Sequence, residues 1–160
     1  REGLVTILPR RGILVSEINV KRQLRLLEVR RALETLIART AARRATDGER
    51  ERLAELADEF ERCAKALDDV AFMRADREFN ALSRAACHNE FASGAMGLIH
   101  SLSRRFFFTH YKQVGDMALT ARRHAELARA IAGGNEDKAE KATTRLLDVI
   151  EKFTRDTTEF

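Results

Sequence analysis

Four polar residues stand where helical periodicity calls for apolar ones, and they carry most of the chemistry this chain can offer: Arg30, Asp76, Asn80 and His124. Asp76 and Asn80 are four apart, so on a helix their side chains are neighbours. Their face also holds Met73 and Cys87, beside Phe72, Phe79 and Leu82. His124 stands at the centre of a stripe made by Met117, Ala121, Ala128 and Ile131. Arg30 interrupts the stripe of Leu26, Leu33 and Ile37, with Glu34 one turn later. Burying a charge is costly unless it is paired or coordinates something. Two readings follow. Either these residues converge on a polar cavity that holds a ligand, or they form separate structural pairs such as Arg30 with Glu34.

A metal site is the sharper version of the first reading. Asp76 and His124 are residue types that bind zinc and similar ions, and Asn80 is a weak third donor. The last helix directs Ala139, Ala142, Leu146, Ile150 and Phe153 to the core and supplies no ligand. Two good donors make a poor site, so no cofactor is expected, with a divalent ion as the minority reading. His88, His100 and His110 show no ligand spacing and read as surface or internally satisfied histidines. Arg104 and Arg105 precede Phe106, Phe107 and Phe108. That run reads as core aromatics with one arginine, taken as Arg105, facing the cavity or a neighbour; the competing reading is a nucleic-acid stacking patch. There is no glycine-rich phosphate loop, nucleophile elbow or catalytic carboxylate pair, so the chain is not expected to be an enzyme.

The elements that must position these residues are helices. The 160 residues suit one domain, or a domain plus a fragment. Apolar residues make up 44%, enough for a core, while a single proline and eight glycines leave few helix breakers. The net charge of +4 is spread along the chain and reads as a mixed, solvated surface. Cys63 and Cys87 form no C-x-x-C pair and read as small core residues of a reduced, cytoplasmic protein. No apolar run reaches the length of a membrane span.

From Asn19 onward the spacing predicts six helices. The first spans about 20–44. Thr46 or Asp47 caps a second ending near Leu67, Asp68 a third reaching Cys87, and Asn89 a fourth reaching about Tyr111. Gly115 breaks the chain before a fifth ending at Gly133-Gly134, and Asn135 caps the last, to about Arg155. The short links imply antiparallel neighbours, giving an all-α antiparallel six-helix bundle. Ahead of it, Leu4–Leu8 and Ile13–Val15 read as strands around a Pro9-Arg10-Arg11-Gly12 turn. A lone hairpin is only marginally stable. It therefore reads as the remnant of a domain, and the start at Arg1 reads as sequence missing upstream.

Taken together, these segments resemble a known family. Glu2-Gly3-Leu4-Val5, Pro9-Arg10-Arg11-Gly12 and Val15 look like the closing wing of a GntR-type winged helix-turn-helix. Glu28-Val29-Arg30, Leu33-Glu34 and Ala41-Ala42 are similar to the opening helix of the FadR-like C-terminal (FCD) domain. Asp76 to Asn80 resembles its D-x-x-F-H signature, and His124 with Ala130-Ile131 and Gly134 its H-x5-A-I segment.

The resemblance implies a wing at 1–16 and a helical effector-binding and dimerisation domain at 17–160. It also implies a homodimer acting on operator DNA under control of a small effector, usually an organic acid, and no membrane. Arg10 and Arg11 at the wing tip would touch DNA, while Arg30, Asp76, Asn80, Arg105 and His124 would face the effector, with Arg30 as carboxylate clamp. Many members of this family hold a metal with further histidines where this chain has Asn80 and Leu146, so the metal does not carry over. The competing class is a metal- or small-molecule-binding bundle without a DNA role, for which the hairpin would have no use.

Overall fold

In the computed structural model, each of six helices starts at a side chain that caps it. The described residues are 5–8, 12–15 and 19–157. Helix α1 is Val20–Arg44, α2 Asp47–Ala66, α3 Asp69–Ala86, α4 Glu90–Val114, α5 Met117–Ala132 and α6 Glu136–Asp156. The caps, in order, are Asn19, Thr46, Asp68, Asn89, Asp116 and Asn135, each accepting a hydrogen bond from a first-turn N–H. Thr46 and Glu49 complete a reciprocal capping box. Such a cap contributes about 1 kcal/mol and fixes where a helix begins. The largest departure from expectation is the end of α4, three residues beyond Tyr111, because no breaker occurs before Gly115.

Ion pairs between helices set their directions. Along α1, Arg31 pairs with Asp148 and Glu151, Arg39 with Asp137 and Glu140, and Arg43 with Glu136, so α6 runs antiparallel to α1. Along α2, Arg50 reaches the last carbonyls of α5 and Phe60 packs on His124, so α5 is antiparallel to α2. The pairs α2–α3, α3–α4 and α5–α6 also pack together, as does α1 with α3, α4 and α5.

The expectation that every short link folds successive helices back on each other needs correcting. Neither α1 with α2 nor α4 with α5 is among the closely packed pairs. The backbone supplies the reason. At these two junctions the residue after the helix, Ala45 or Gly115, is extended, with ψ 134° in both. At the other three, Leu67 is left-handed and Cys87 and Gly133 stay near helical geometry, which turns the chain tightly.

The core lies between α1, α2, α3, α5 and α6. Leu53, Leu56 and Phe60 on α2 are fully buried, with Ile131 on α5 and Leu146 on α6. At one end Arg50 donates to carbonyls of two helices: Ala42 in the last turn of α1 and Ala45 just after it, and Ile131 and Ala132 at the end of α5. Gly134 has φ +70° there, and a Cβ would lie 2.9 Å from Arg50 Nη1. Residues 5–8 pair antiparallel with 12–15, from Val5 opposite Val15 to Leu8 opposite Gly12. Pro9, Arg10 and Arg11 lie outside the described residues.

Candidate functional site

Helix packing brings Arg30 from α1, Asp76 and Asn80 from α3, and His124 from α5 to one cavity of about 50 Å³ in the middle of the bundle. From α4 come His100, Ser103 and Arg104. The rest of the wall is largely apolar: Phe72, Met73, Phe106, Phe107, Ile150 and Phe153. A water-sized probe needs about 10–15 Å³, so the space holds a few waters or a very small ligand. Thr120 and Phe153 also line a surface groove between α5 and α6, so these two side chains separate the cavity from solvent there.

Asp76 organises the polar wall. Its Oδ1 accepts from Asn80 Nδ2 at 3.0 Å and lies 3.2 Å from His124 Nε2. Its Oδ2 lies 3.8 Å from Arg104 Nε, an ion-pair distance too long for a hydrogen bond. Burial acts to raise the Asp76 carboxyl pKa. The His124 hydrogen bond and the charges of His124, Arg104 and Arg30 outweigh it, and the carboxyl is held below its ordinary range.

The other ring nitrogen of His124, Nδ1, donates to the Thr120 carbonyl at 2.9 Å. Both ring nitrogens thus face acceptors, the Thr120 carbonyl and the Asp76 carboxylate. Its ring sits among Phe60, Phe72 and Phe79, with centroids 5.0, 5.5 and 5.9 Å away.

Beside this wall lies a second buried cluster. Arg30 Nε donates to Glu34 Oε1 at 2.9 Å, and His100 Nε2 lies 2.9 Å from the same oxygen. Burial would raise the Glu34 carboxyl, but the Arg30 charge and the His100 hydrogen bond pull it down to about 2. Asn80 and His100 also line a neighbouring cavity of about 20 Å³, which Glu34, Ser83 and Leu146 help to close.

The structure contains the geometric part of each reading of the sequence. Arg30 does pair with Glu34, and the four polar residues do share a cavity. Arg105 is not among the residues lining it; its neighbour Arg104 is. Successive helical residues are about 100° apart, so only one of the two faces inward. His100 was read as a surface or satisfied histidine, yet it is buried with Nδ1 unpartnered. The signal for it was the spacing of Met96, His100, Ser103 and Phe107, which traces one face of α4.

These residues do not fit a divalent ion. Asp76 and His124 direct their facing atoms at each other, Asn80 turns its amide nitrogen to Asp76, and Leu146 has no donor atom. Among the described residues, no three His, Cys, Asp or Glu side chains cluster as metal ligands.

Comparison with known proteins agrees with the architecture. No curated protein matches the sequence. A GntR protein of Streptococcus agalactiae superposes with TM-score 0.67 at 19% identity, over 94% of this chain and 75% of that one. Lar, described as controlling expression of the Listeria monocytogenes agr system, gives TM-score 0.64 at 16% identity, over 97% of this chain and 74% of its own. At these identities the likeness establishes the shared fold. The FCD domain model matches residues 25–149, a span that contains Arg30, Asp76, Asn80, Arg104 and His124. The chain belongs to the FCD domain family.

Proposed function

We propose that this chain is the effector-binding domain of a metabolite-responsive bacterial transcription regulator of the GntR family. The observation that carries the reading is the convergence of Arg30, Asp76, Asn80 and His124, from three helices, on one buried cavity inside an FCD fold. A buried polar wall costs stability unless it is used. A small anionic metabolite would complete it, with Arg30 supplying positive charge and Asn80 an amide. Binding would bias the bundle between two arrangements and so change operator affinity.

In this reading the ribbon at 5–8 and 12–15 is the wing of a winged helix-turn-helix, with Arg10 and Arg11 against DNA backbone or minor groove. The regulator acts as a homodimer, as a palindromic operator requires. Among the described residues no helix is long and apolar enough to cross a membrane.

The test has two stages. A thermal-shift screen of small metabolites identifies a stabilising ligand. That ligand is then titrated into folded Asn80→Ala and His124→Ala variants by calorimetry, and into the regulator bound to its promoter DNA. Affinity unchanged in both variants would remove the cavity from consideration. A ligand that binds but leaves DNA affinity untouched would remove the regulatory role.

A further inference from the structure

The smaller cavity beside the polar wall has a chemistry of its own. Among the described residues, four buried side-chain polar atoms lack a hydrogen-bond partner: Glu34 Oε2, Ser83 Oγ, His100 Nδ1 and Arg104 Nε. Glu34, Ser83 and His100 all line the cavity of about 20 Å³. They come from α1, α3 and α4, and each is more than nine-tenths buried, with exposures of 9%, 6% and 7%. A buried polar atom without a partner costs stability, and such atoms are few in folded proteins. Three of the four on residues around one small space call for one shared partner.

The donor and acceptor properties of the three groups decide what that partner is. Glu34 Oε1 accepts from Arg30 Nε and lies 2.9 Å from His100 Nε2, so the carboxylate is held through one oxygen and Oε2 is left to accept. The Ser83 hydroxyl donates and accepts, and the second ring nitrogen of His100 does one or the other according to its tautomer. The partner must donate to a carboxylate and be able either to donate or to accept at the other two groups. Water meets both conditions whichever tautomer is present. The cavity of about 20 Å³ exceeds the roughly 10–15 Å³ that one water needs, and about three polar partners is the usual number for a buried one. Two other polar side chains line the space and are already engaged: Asn80 Nδ2 donates to Asp76, and Arg84 Nε to the Asn80 carbonyl.

We propose that Glu34, Ser83 and His100 bind a single internal water that joins α1, α3 and α4 beside the central cavity. The site stands whether or not the central cavity takes an effector. It makes Ser83 a positioning residue. The water fixes Glu34 at Oε2, and Glu34 Oε1 in turn holds Arg30 and His100, both of which line the central cavity. Ser83 lies three residues beyond Asn80 on α3. One helix thus supports the polar wall directly through Asp76 and Asn80 and, a turn later, through the water.

The first test is a thermal melt of Ser83→Ala. Alanine is the better helix former, and deleting an unpartnered buried hydroxyl removes a penalty, so a serine without the water would give a higher melting temperature. Deleting an anchor of the water lowers it instead, by about 2 °C or more. The second test counts waters. Oxygen-17 relaxation dispersion of the solvent detects long-lived internal waters, and the count falls by one from wild type to Ser83→Ala. A high-resolution crystal structure of the wild type then shows a water within hydrogen-bonding distance of Glu34 Oε2 and Ser83 Oγ. A melting temperature unchanged or raised in Ser83→Ala, an equal water count in the two proteins, or a direct Glu34–Ser83 hydrogen bond overturns the assignment. So does a wild-type melting temperature raised by ammonium chloride over choline chloride at equal ionic strength and lost in Ser83→Ala, which would put a cation at the Glu34 carboxylate.

Discussion

Two arginines in this bundle are placed alike and used differently. Arg50 and Arg104 both reach from a helix into the space between neighbouring helices. Arg50 meets four carbonyl oxygens belonging to the ends of α1 and α5, so its charge is spent on closing the fold. Arg104 meets no acceptor within hydrogen-bonding distance at its buried Nε. A half-buried cation whose nitrogens all meet carbonyls is architecture; one with an open donor beside a cavity is free to meet a ligand. The difference separates the closed end of the bundle from its responsive middle.

The largest expected effect lies at the closed end. Arg50→Ala removes a charged donor from four carbonyls at the ends of α1 and α5, and should cost about 3 kcal/mol of stability. For a chain of this size that lowers the melting temperature by roughly 10 °C. If Arg50→Ala were neutral in a thermal melt, the division between the two arginines would fail.

The middle of the bundle gives a comparable effect that depends on pH. The Glu34 carboxyl lies at about 2 when folded against an ordinary 4.5. A lowered folded pKa contributes stability above the unfolded value, lost as pH falls through the folded one. The contribution, about 3 kcal/mol in full, is therefore present at pH 6 and disappears between about pH 4.5 and 2. Asp76, also lowered, acts in the same direction. Urea titrations across this window should show a steeper loss for the wild type than for Glu34→Gln. Parallel curves would mean that the Arg30–Glu34–His100 cluster does not hold its charge.

A smaller effect belongs to the junction that Arg50 serves. Gly134 combines φ +70° with close approach to the Arg50 guanidinium. Gly134→Ala pays for left-handed backbone and displaces the clamp, costing about 1–2 kcal/mol. In an Arg50→Ala background the steric part vanishes and only the backbone part remains. A double-mutant cycle reads the difference.

How much of this was legible in the sequence depended on whether the signal was local. Helix starts were readable at Asn19, Thr46, Asp68, Asn89 and Asn135, because a cap acts within three residues of itself. The polar wall was readable from three helices because Arg30, Asp76, Asn80 and His124 each interrupt a clear apolar stripe. Helix order in space was not. It turns on extended backbone at Ala45 and Gly115, which link length does not encode. The fourth helix was also opaque. Its apolar residues lie all round, with Phe91, Leu98 and Phe108 exposed while Met96 and Phe106 are buried. Only the mixed row of Met96, His100, Ser103 and Phe107 marked its inner face, and that row decides between Arg104 and Arg105 less clearly than an apolar stripe would.

That choice gives the smallest expected effect and the finest test of the comparison. Arg104 and Arg105 are adjacent, identical in type, and on the same helix, so substituting each controls for charge, helix propensity and net electrostatics. Only Arg104 lines the cavity and lies near Asp76. Arg105→Gln should leave the affinity of any ligand of this cavity within about twofold of wild type. Long-range charge cannot mimic the effect of replacing Arg104, because exposed charges are screened within about 10 Å at 0.1 M salt. Raising salt from 0.1 to 0.5 M should accordingly erase any residual Arg105 contribution while leaving most of the Arg104 contribution, which acts at contact distance in a buried wall. Equal losses in the two variants at high salt would show that the cavity responds to the net charge of α4, not to one guanidinium on its inner face.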